Sequence, residues 1–272
     1  MTDRWVGSAL PVDATKYSRG VVAVVAGSSR YPGAAVLAVA GARRGGAGYV
    51  RHISPSDEVR SLVVSHFPDV VPSADVDEEL LERMSAAVVG PGTSAEDTWV
   101  SVILRRILAT HAAVVIDGGA LDLVVNDPVV RELLNSRTAP TVITPHAGEA
   151  ARLGATGDDR NEQARALAQD TCAVVVLKGS GTVVATGDSV VSVDTVAGPE
   201  LATAGTGDVL AGLLGSMLAA HRPATAAACA DVASQAVYVH ACAGKAAAEQ
   251  VWSVTALDVA AELGSVMRRF HS

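Results

Sequence analysis

Short apolar, largely β-branched runs alternate along this chain with stretches of helical character, and that alternation restricts the fold more than any other feature. The runs cover residues 21–26, 49–53, 87–89, 112–116, 141–144, 173–177, 182–185 and 190–193. Most read as strands buried on both faces. Helical stretches over 33–44, 96–110, 128–135, 148–153 and 162–170 lie between the earlier runs. Such an order predicts an α/β fold with a mostly parallel sheet, helices on both faces and right-handed crossovers. After Leu177 the order changes. Runs 173–177, 182–185 and 190–193 follow closely around Gly179–Gly181 and Gly187-Asp188, as an antiparallel edge would. The remainder predicts helices over 208–220, 224–243 and 256–270, with Pro223 at one break and Thr255 with Asp258 as a capping box.

The chain has 272 residues, 49% of them hydrophobic, enough for one large core. We expect a single domain over 1–272, with 1–19 as an N-terminal extension. A formal charge of −8 without a basic run argues against nucleic acid and against an anionic membrane surface. An anionic substrate would need local help from backbone amides, Lys178, the Arg43/Arg44 pair or a metal. Cys172, Cys229 and Cys242 lack close metal-ligand spacing and lie in Ala/Val-rich settings, which predicts buried free thiols. The first twenty residues carry Asp3, Arg4, Asp13, Lys16 and Arg19 and no apolar core, so no secretory signal is expected. No apolar run approaches the roughly 20 residues that span a bilayer. The expected location is cytoplasmic. The seven histidines are dispersed, no Ser sits in a Gly-x-Ser-x-Gly elbow, and Gly45-Gly46-Ala47-Gly48 precedes a strand instead of following one. Zinc, serine-hydrolase and dinucleotide-fingerprint readings therefore fare poorly.

In an open α/β sheet, ligands bind beyond the carboxyl ends of the strands, so residues just after each run are examined first. The segment Ala204-Gly205-Thr206-Gly207-Asp208-Val209-Leu210-Ala211-Gly212 places two glycines and one carboxylate at the mouth of an apolar helix. Unpaired N–H groups and the helix dipole suit phosphate there, and Asp208 is placed to take a proton or hold magnesium. A turn with an ordinary first-turn Asp is the alternative. Gly27-Ser28-Ser29-Arg30-Tyr31-Pro32-Gly33-Ala34-Ala35 either wraps a ligand or is a plain loop, and Gly90-Pro91-Gly92-Thr93-Ser94 opens a helix that Thr93 or Ser94 would cap. Asp117, before Gly118-Gly119, is a strand-tip carboxylate or a helix cap; His146, after Thr144-Pro145, is a hydrogen-bond donor to substrate or a cap of its own loop. Lys178-Gly179-Ser180-Gly181-Thr182 combines a cation, two glycines and two hydroxyls, as a nucleotide phosphate or ribose would require; a flexible hairpin is the alternative.

Taken in order, Tyr31-Pro32-Gly33-Ala34-Ala35, Arg44-Gly45-Gly46-Ala47-Gly48, Gly90-Pro91-Gly92, Ile143-Thr144-Pro145-His146-Ala147-Gly148-Glu149, Leu177-Lys178-Gly179 and Gly205-Thr206-Gly207-Asp208-Val209-Leu210-Ala211-Gly212 resemble the ADP-dependent NAD(P)H-hydrate dehydratases. The resemblance runs from about residue 20 to the C-terminus. It implies a ribokinase-like three-layer sandwich and a repair reaction, in which ADP drives dehydration of the S epimer of hydrated NADH or NADPH and leaves AMP and phosphate. It implies Asp208 as base on the ring hydroxyl, with Gly205, Thr206 and Gly207 holding the phosphate in flight. Lys178, Gly179, Ser180, Gly181, Thr182 and Gly207 would contact the adenine nucleotide. Ala35, Gly92, His146 and Asp208 would line the hydrate pocket, with Mg2+ neutralising phosphate charge and ADP as co-substrate. It further implies a homo-oligomer, a tetramer being one expected form, and a separate NAD(P)H-hydrate epimerase as functional partner, since residues 1–19 leave no room for a fused one. The chain departs from the family where Gly118-Gly119 follow Asp117 in place of an Asp-Ala-Asp-like string, which puts the role of that loop in doubt, and where Ala204 replaces a glycine. The rival readings are an ATP-dependent kinase of the same superfamily acting on a vitamin-precursor alcohol, and a noncatalytic nucleotide sensor.

Overall fold

The computed structural model of this protein describes residues 12–94 and 96–269. Residues 1–11 of the expected extension, and Phe270 at the end of the expected last helix, lie outside them. The strands are β1 (Val21–Val25), β2 (Tyr49–Ile53), β3 (Val71–Ser73), β4 (Ala86–Val89), β5 (Ala113–Ile116), β6 (Thr141–Ile143), β7 (Val174–Leu177), β8 (Val183–Ala185) and β9 (Val190–Val193). They form one sheet in the order β3-β2-β1-β4-β5-β6-β7-β8-β9. Pairing is parallel from β3 through β7, and β8 and β9 add the expected antiparallel edge.

The helices are α1 (Pro32–Ala42), α2 (Asp57–His66), α3 (Glu78–Arg83), α4 (Thr98–Leu108), α5 (Leu121–Asn126), α6 (Pro128–Ser136), α7 (Ala147–Arg152), α8 (Arg160–Thr171), α9 (Thr206–His221), α10 (Ala226–Ala248) and α11 (Ala256–Arg269). Because strand side chains alternate in direction, each strand feeds two cores. Val22, Val24, Val88, Val115 and Val176 pack with residues of α1, α9, α10 and α11. Val21, Ala23, Val89, Val114, Ile116 and Leu177 pack with residues of α4 through α8. The result is helix, sheet, helix.

Helix α9 is buried along most of its length from Val209 to Ala219, which explains why it is apolar all round. It lies directly on α1. A Cβ on Gly212 would overlap the Ala38 carbonyl oxygen, and one on Gly41 would overlap that of Val209. The two glycines thus set the distance between these helices. Arg222, left-handed at φ 47°, ends α9 just before Pro223, and Thr225 accepts from the Ala228 amide to begin α10. Thr255 and Asp258 exchange the expected reciprocal bonds at the start of α11.

The structure adds elements beyond those expected. β3 is a three-residue Val-Pro-Ser edge strand, largely exposed, and α3 is six residues with only Leu80 buried. Neither carries enough apolar periodicity to be read. α2 was legible, since Ser56 caps it and Val59 and Val63 lie one turn apart on its buried side. The cysteines are free, but only Cys229 is buried. Cys172 is exposed because it occupies the left-handed C-cap of α8, where the chain leaves the helix.

Candidate functional site

Strands β1, β4, β5, β6 and β7 are consecutive neighbours in the sheet, so the segments after their carboxyl ends share one rim. Register fixes the centre of that rim. Ile116 pairs with Ile143, so Asp117 and Thr144 come one step beyond the pair, and Thr144 donates to Asp117 Oδ1 at 2.7 Å. Lys178 follows β7, forms a bridge with His146, and its ammonium lies 2.5 Å from the same Oδ1. Asp117 heads the short 3₁₀ turn Gly118–Ala120, yet its carboxylate makes no cap bond. The helix-cap reading of Asp117 is therefore corrected. It is buried, 2% exposed, at the heart of a polar cluster.

The start of α9 completes the cluster. Gly205 is its N-cap at φ 90°, a conformation closed to most side chains, and among the described residues no side chain caps this end. Its amides are free to meet an anion. The Thr206 hydroxyl turns away, donating to the carbonyls of Leu201 and Thr203, so the residue offers its amide. Gly207 sits beside the cation, since a Cβ there would lie 3.5 Å from Lys178 Nζ. Ala204 does not share the positive φ of Gly205, because Cys172 and Arg222 are the non-glycine residues with positive φ among those described. Replacing a glycine at 204 thus costs no backbone strain.

Asp208 occupies the first turn of α9. Burial, together with the nearby carboxylates of Asp117 and Glu149 and against the attraction of Lys178, pushes its pKa up to about 7. Burial alone would lower Lys178, but the carboxylates of Asp117, Glu149 and Asp208 prevail and raise it. Lys178 is thus an ammonium and Asp208 exchanges its proton near neutrality. His240 of α10 lies beside the backbone of Thr206, and its Nε2 is buried without a partner among the described residues; burial pushes its pKa down to about 4, so it stays neutral. Glu149, Thr144 and His240 belong to the cluster; the sequence reading holds the first two within a motif without giving them a role, and passes over His240. For Glu149 a signal existed, three residues after His146 in a capping-box position.

His146 caps the helix that follows it, as one of its two readings had it. Its Nδ1 accepts from the Glu149 amide at 3.1 Å while Glu149 returns a bond to the His146 amide, and its side chain is 58% exposed. In the turn after Lys178, Gly179 and Ser180 are exposed, whereas Thr182 is buried and its hydroxyl bonds back to Gly179. Arg160 of α8 donates to the carbonyls of Leu177 and Lys178 and braces this turn, a contact unreadable in sequence.

The loops after β1 and β4 are tied together, Gly27 donating to the Pro91 carbonyl and Ser28 to that of Gly92, both at 2.8 Å. Ala35 is fully buried beneath Gly27, so Ser29, Arg30 and Tyr31 provide the open surface of this loop, and Gly92 lies partly open beside Tyr31. Thr93 and Ser94 do not cap α4: Thr93 donates to Gly90, and Ser94 gives its amide to Asp97. The loop reaches the cluster because residue 119 is glycine, where a Cβ would overlap the Thr93 carbonyl oxygen. The Gly118-Gly119 departure is a packing solution.

Among the described residues no three histidine, cysteine or carboxylate groups converge as a metal cage, and no helix is long and apolar enough to cross a membrane. The arrangement offers a carboxylate that titrates near neutrality, a half-buried cation and an uncapped helix terminus. Such a set is chemically suited to phosphoryl transfer.

Residues 22–264 match the family described as NAD(P)H-hydrate dehydratase. Among curated relatives, the bifunctional NAD(P)H-hydrate repair enzyme Nnr of Mycobacterium leprae is 40% identical over 83% of this chain and 45% of its own, and that of Moorella thermoacetica is 32% identical over 92% and 50%. The chain spans about half the length of these relatives. Among solved structures, the ADP/ATP-dependent NAD(P)H-hydrate dehydratase of Bacillus subtilis, co-crystallized with ATP/Mg2+, superposes with a TM-score of 0.78 at 27% identity, covering 96% of this chain and 93% of its own. A ribokinase-like superfamily protein of Enterococcus faecalis shares the fold, with a TM-score of 0.80 at 24% identity over 97% and 92% of the two chains.

Proposed function

This chain belongs to the NAD(P)H-hydrate dehydratase family, and on that premise we propose that it dehydrates the S epimer of hydrated NADH and NADPH at the expense of ADP, releasing AMP and phosphate. The observation that carries the proposal is Asp208, a carboxylate pushed up to about 7 in the first turn of a helix whose amides are uncapped. At neutral pH it can accept the proton of the ring hydroxyl as that oxygen attacks the β-phosphorus of ADP. The phosphoryl group passes across the amides of Gly205, Thr206 and Gly207, beside Lys178. Phosphate then leaves where hydroxide could not, expelled by the lone pair of the ring nitrogen as the ring proton is lost.

Lys178 through Thr182, with Gly207, would hold the nucleotide; Gly92, His146 and the loop over Ala35 would hold the hydrated dinucleotide. The donor set suits magnesium that arrives with the nucleotide, its ligands chiefly phosphate oxygens, and when bound it would neutralise charge on the transferring group. A separate epimerase as functional partner, a homo-oligomeric state and a cytoplasmic location belong to the same proposal.

The test incubates the protein with hydrated NADH or NADPH and either ADP or ATP, and follows the return of reduced-nicotinamide absorbance. Recovery is expected with ADP. Recovery with ATP alone would reassign the phosphoryl donor, and no recovery together with phosphorylation of a thiazole or pyrimidine alcohol would replace the dehydratase by a kinase. His146→Ala is expected to raise KM for the hydrate about tenfold and to cost about 1 kcal/mol through loss of the α7 cap. Steady-state kinetics beside thermal denaturation separate the two effects, and an unchanged KM removes His146 from the pocket.

A further inference from the structure

The chemistry above gives work to Asp208 and Lys178 and none to Asp117, which is the most enclosed acid of the cluster. A buried ion pair is weak evidence of a contribution to stability, because desolvation of the two charges offsets their attraction. Its value lies elsewhere. A lysine side chain is long and flexible, and its ammonium needs an anchor to stay at one point. Asp117 Oδ1 supplies that anchor at 2.5 Å, and is itself held by the buried Thr144 hydroxyl at 2.7 Å. On its other side the ammonium lies against Gly207. The chain Thr144, Asp117, Lys178, Gly207 therefore runs from the middle of the sheet to the anion-binding turn.

We propose that Asp117 is a positioning residue, holding the Lys178 ammonium against the Gly205–Asp208 turn where it meets the phosphate of an entering nucleotide. The inference rests on the dehydratase reading. Asp208 is faced by Asp117 beyond β5, by Glu149 of α7 and by Lys178 beyond β7, with His240 of α10 behind Thr206 and toward Lys178. Removing the Asp117 charge removes one of the two carboxylates that oppose ionisation of Asp208.

Asp117→Asn keeps an acceptor for Thr144 and deletes the charge. Calorimetry is expected to show ADP affinity reduced about tenfold, and the acid limb of the kcat profile should move to lower pH by about one unit. If Asp117 acts through Lys178, then Asp117→Asn with Lys178→Met binds ADP no more weakly than Lys178→Met alone. Should the single Asp117→Asn variant fail to fold, the double variant compared with Lys178→Met still decides, because it removes both members of the Asp117–Lys178 pair and leaves neither facing a lost partner. An acid limb that stays in place, an unchanged ADP affinity, or losses that multiply in the double variant overturn the proposal. Wild-type protein that binds ADP but leaves the hydrate untouched would instead be a failure of the dehydratase reading, and the ADP measurements would stand apart from it.

Discussion

Asp208→Asn is expected to fold, to bind ADP and to lose turnover by roughly 10²–10⁴-fold, the contribution of a positioned base. The wild-type pH profile should share that origin. Since the carboxylate must be ionised to accept a proton, kcat/KM rises with pH through about 7, where burial and the Asp117 and Glu149 carboxylates have pushed Asp208. Stability runs the other way. Below about pH 4 Asp208 is protonated in folded and unfolded chains alike, and it costs nothing. Between there and about pH 7 the unfolded chain releases the proton while the folded chain retains it, so stability declines across that window. Above it the full cost of an ionised, half-buried Asp208 is present. Asp208→Asn should thus match the wild type near pH 4 and exceed it at pH 8 by about 1–3 kcal/mol, less than the whole shift implies because the attraction to Lys178 is lost as well. Urea denaturation at both pH values, beside initial rates, provides the check. Near wild-type turnover in Asp208→Asn would remove the residue as base, and equal stability at pH 8 would remove the buried charge as the cause of its shift.

The centre of the sheet was readable because β1, β4, β5, β6 and β7 are buried on both faces and hence almost continuously apolar, and the helix terminus at Gly205 because positive φ there demands glycine. Isolated residues of the site were harder. Asp117 stands alone in sequence beside two glycines, and only the Ile116–Ile143 register brings it to Thr144 and Lys178. His240 lies in the middle of α10, with nothing around it in sequence to distinguish a core histidine from one that lies beside Thr206 and the Lys178 cation. Arg160 reaches the Lys178 turn from another helix. What escaped the sequence is long-range pairing of single polar residues, which no local pattern encodes. Ala35 illustrates the converse. Its place in a family-like string suggested a pocket wall, whereas its side chain is wholly buried and the neighbouring loop residues face outward.

The glycine that closes the Gly205–Gly212 segment should be among the least replaceable of the described glycines. Gly212→Ala puts a methyl group into the Ala38 carbonyl oxygen and within 2.9 Å of the Ala42 amide nitrogen. Both obstacles are backbone of α1, so no side-chain rotation relieves them, and the helices must separate. Overpacking of this kind costs about 3 kcal/mol or more when backbone has to move. The damage should extend to function, because α9 carries Asp208 at its start and α1 supports Gly205 through Leu37, so moving one helix against the other displaces the turn. We therefore expect Gly212→Ala to lower the urea midpoint strongly and to reduce kcat even where the protein remains folded. Gly33→Ala is the matched control. That glycine lies in the first turn of α1, has no positive φ, and a Cβ on it meets nothing within 4 Å. It should be neutral or stabilising by up to about 1 kcal/mol. Equal midpoints for the two variants would mean that close approach of α1 and α9 does not set the position of the catalytic turn.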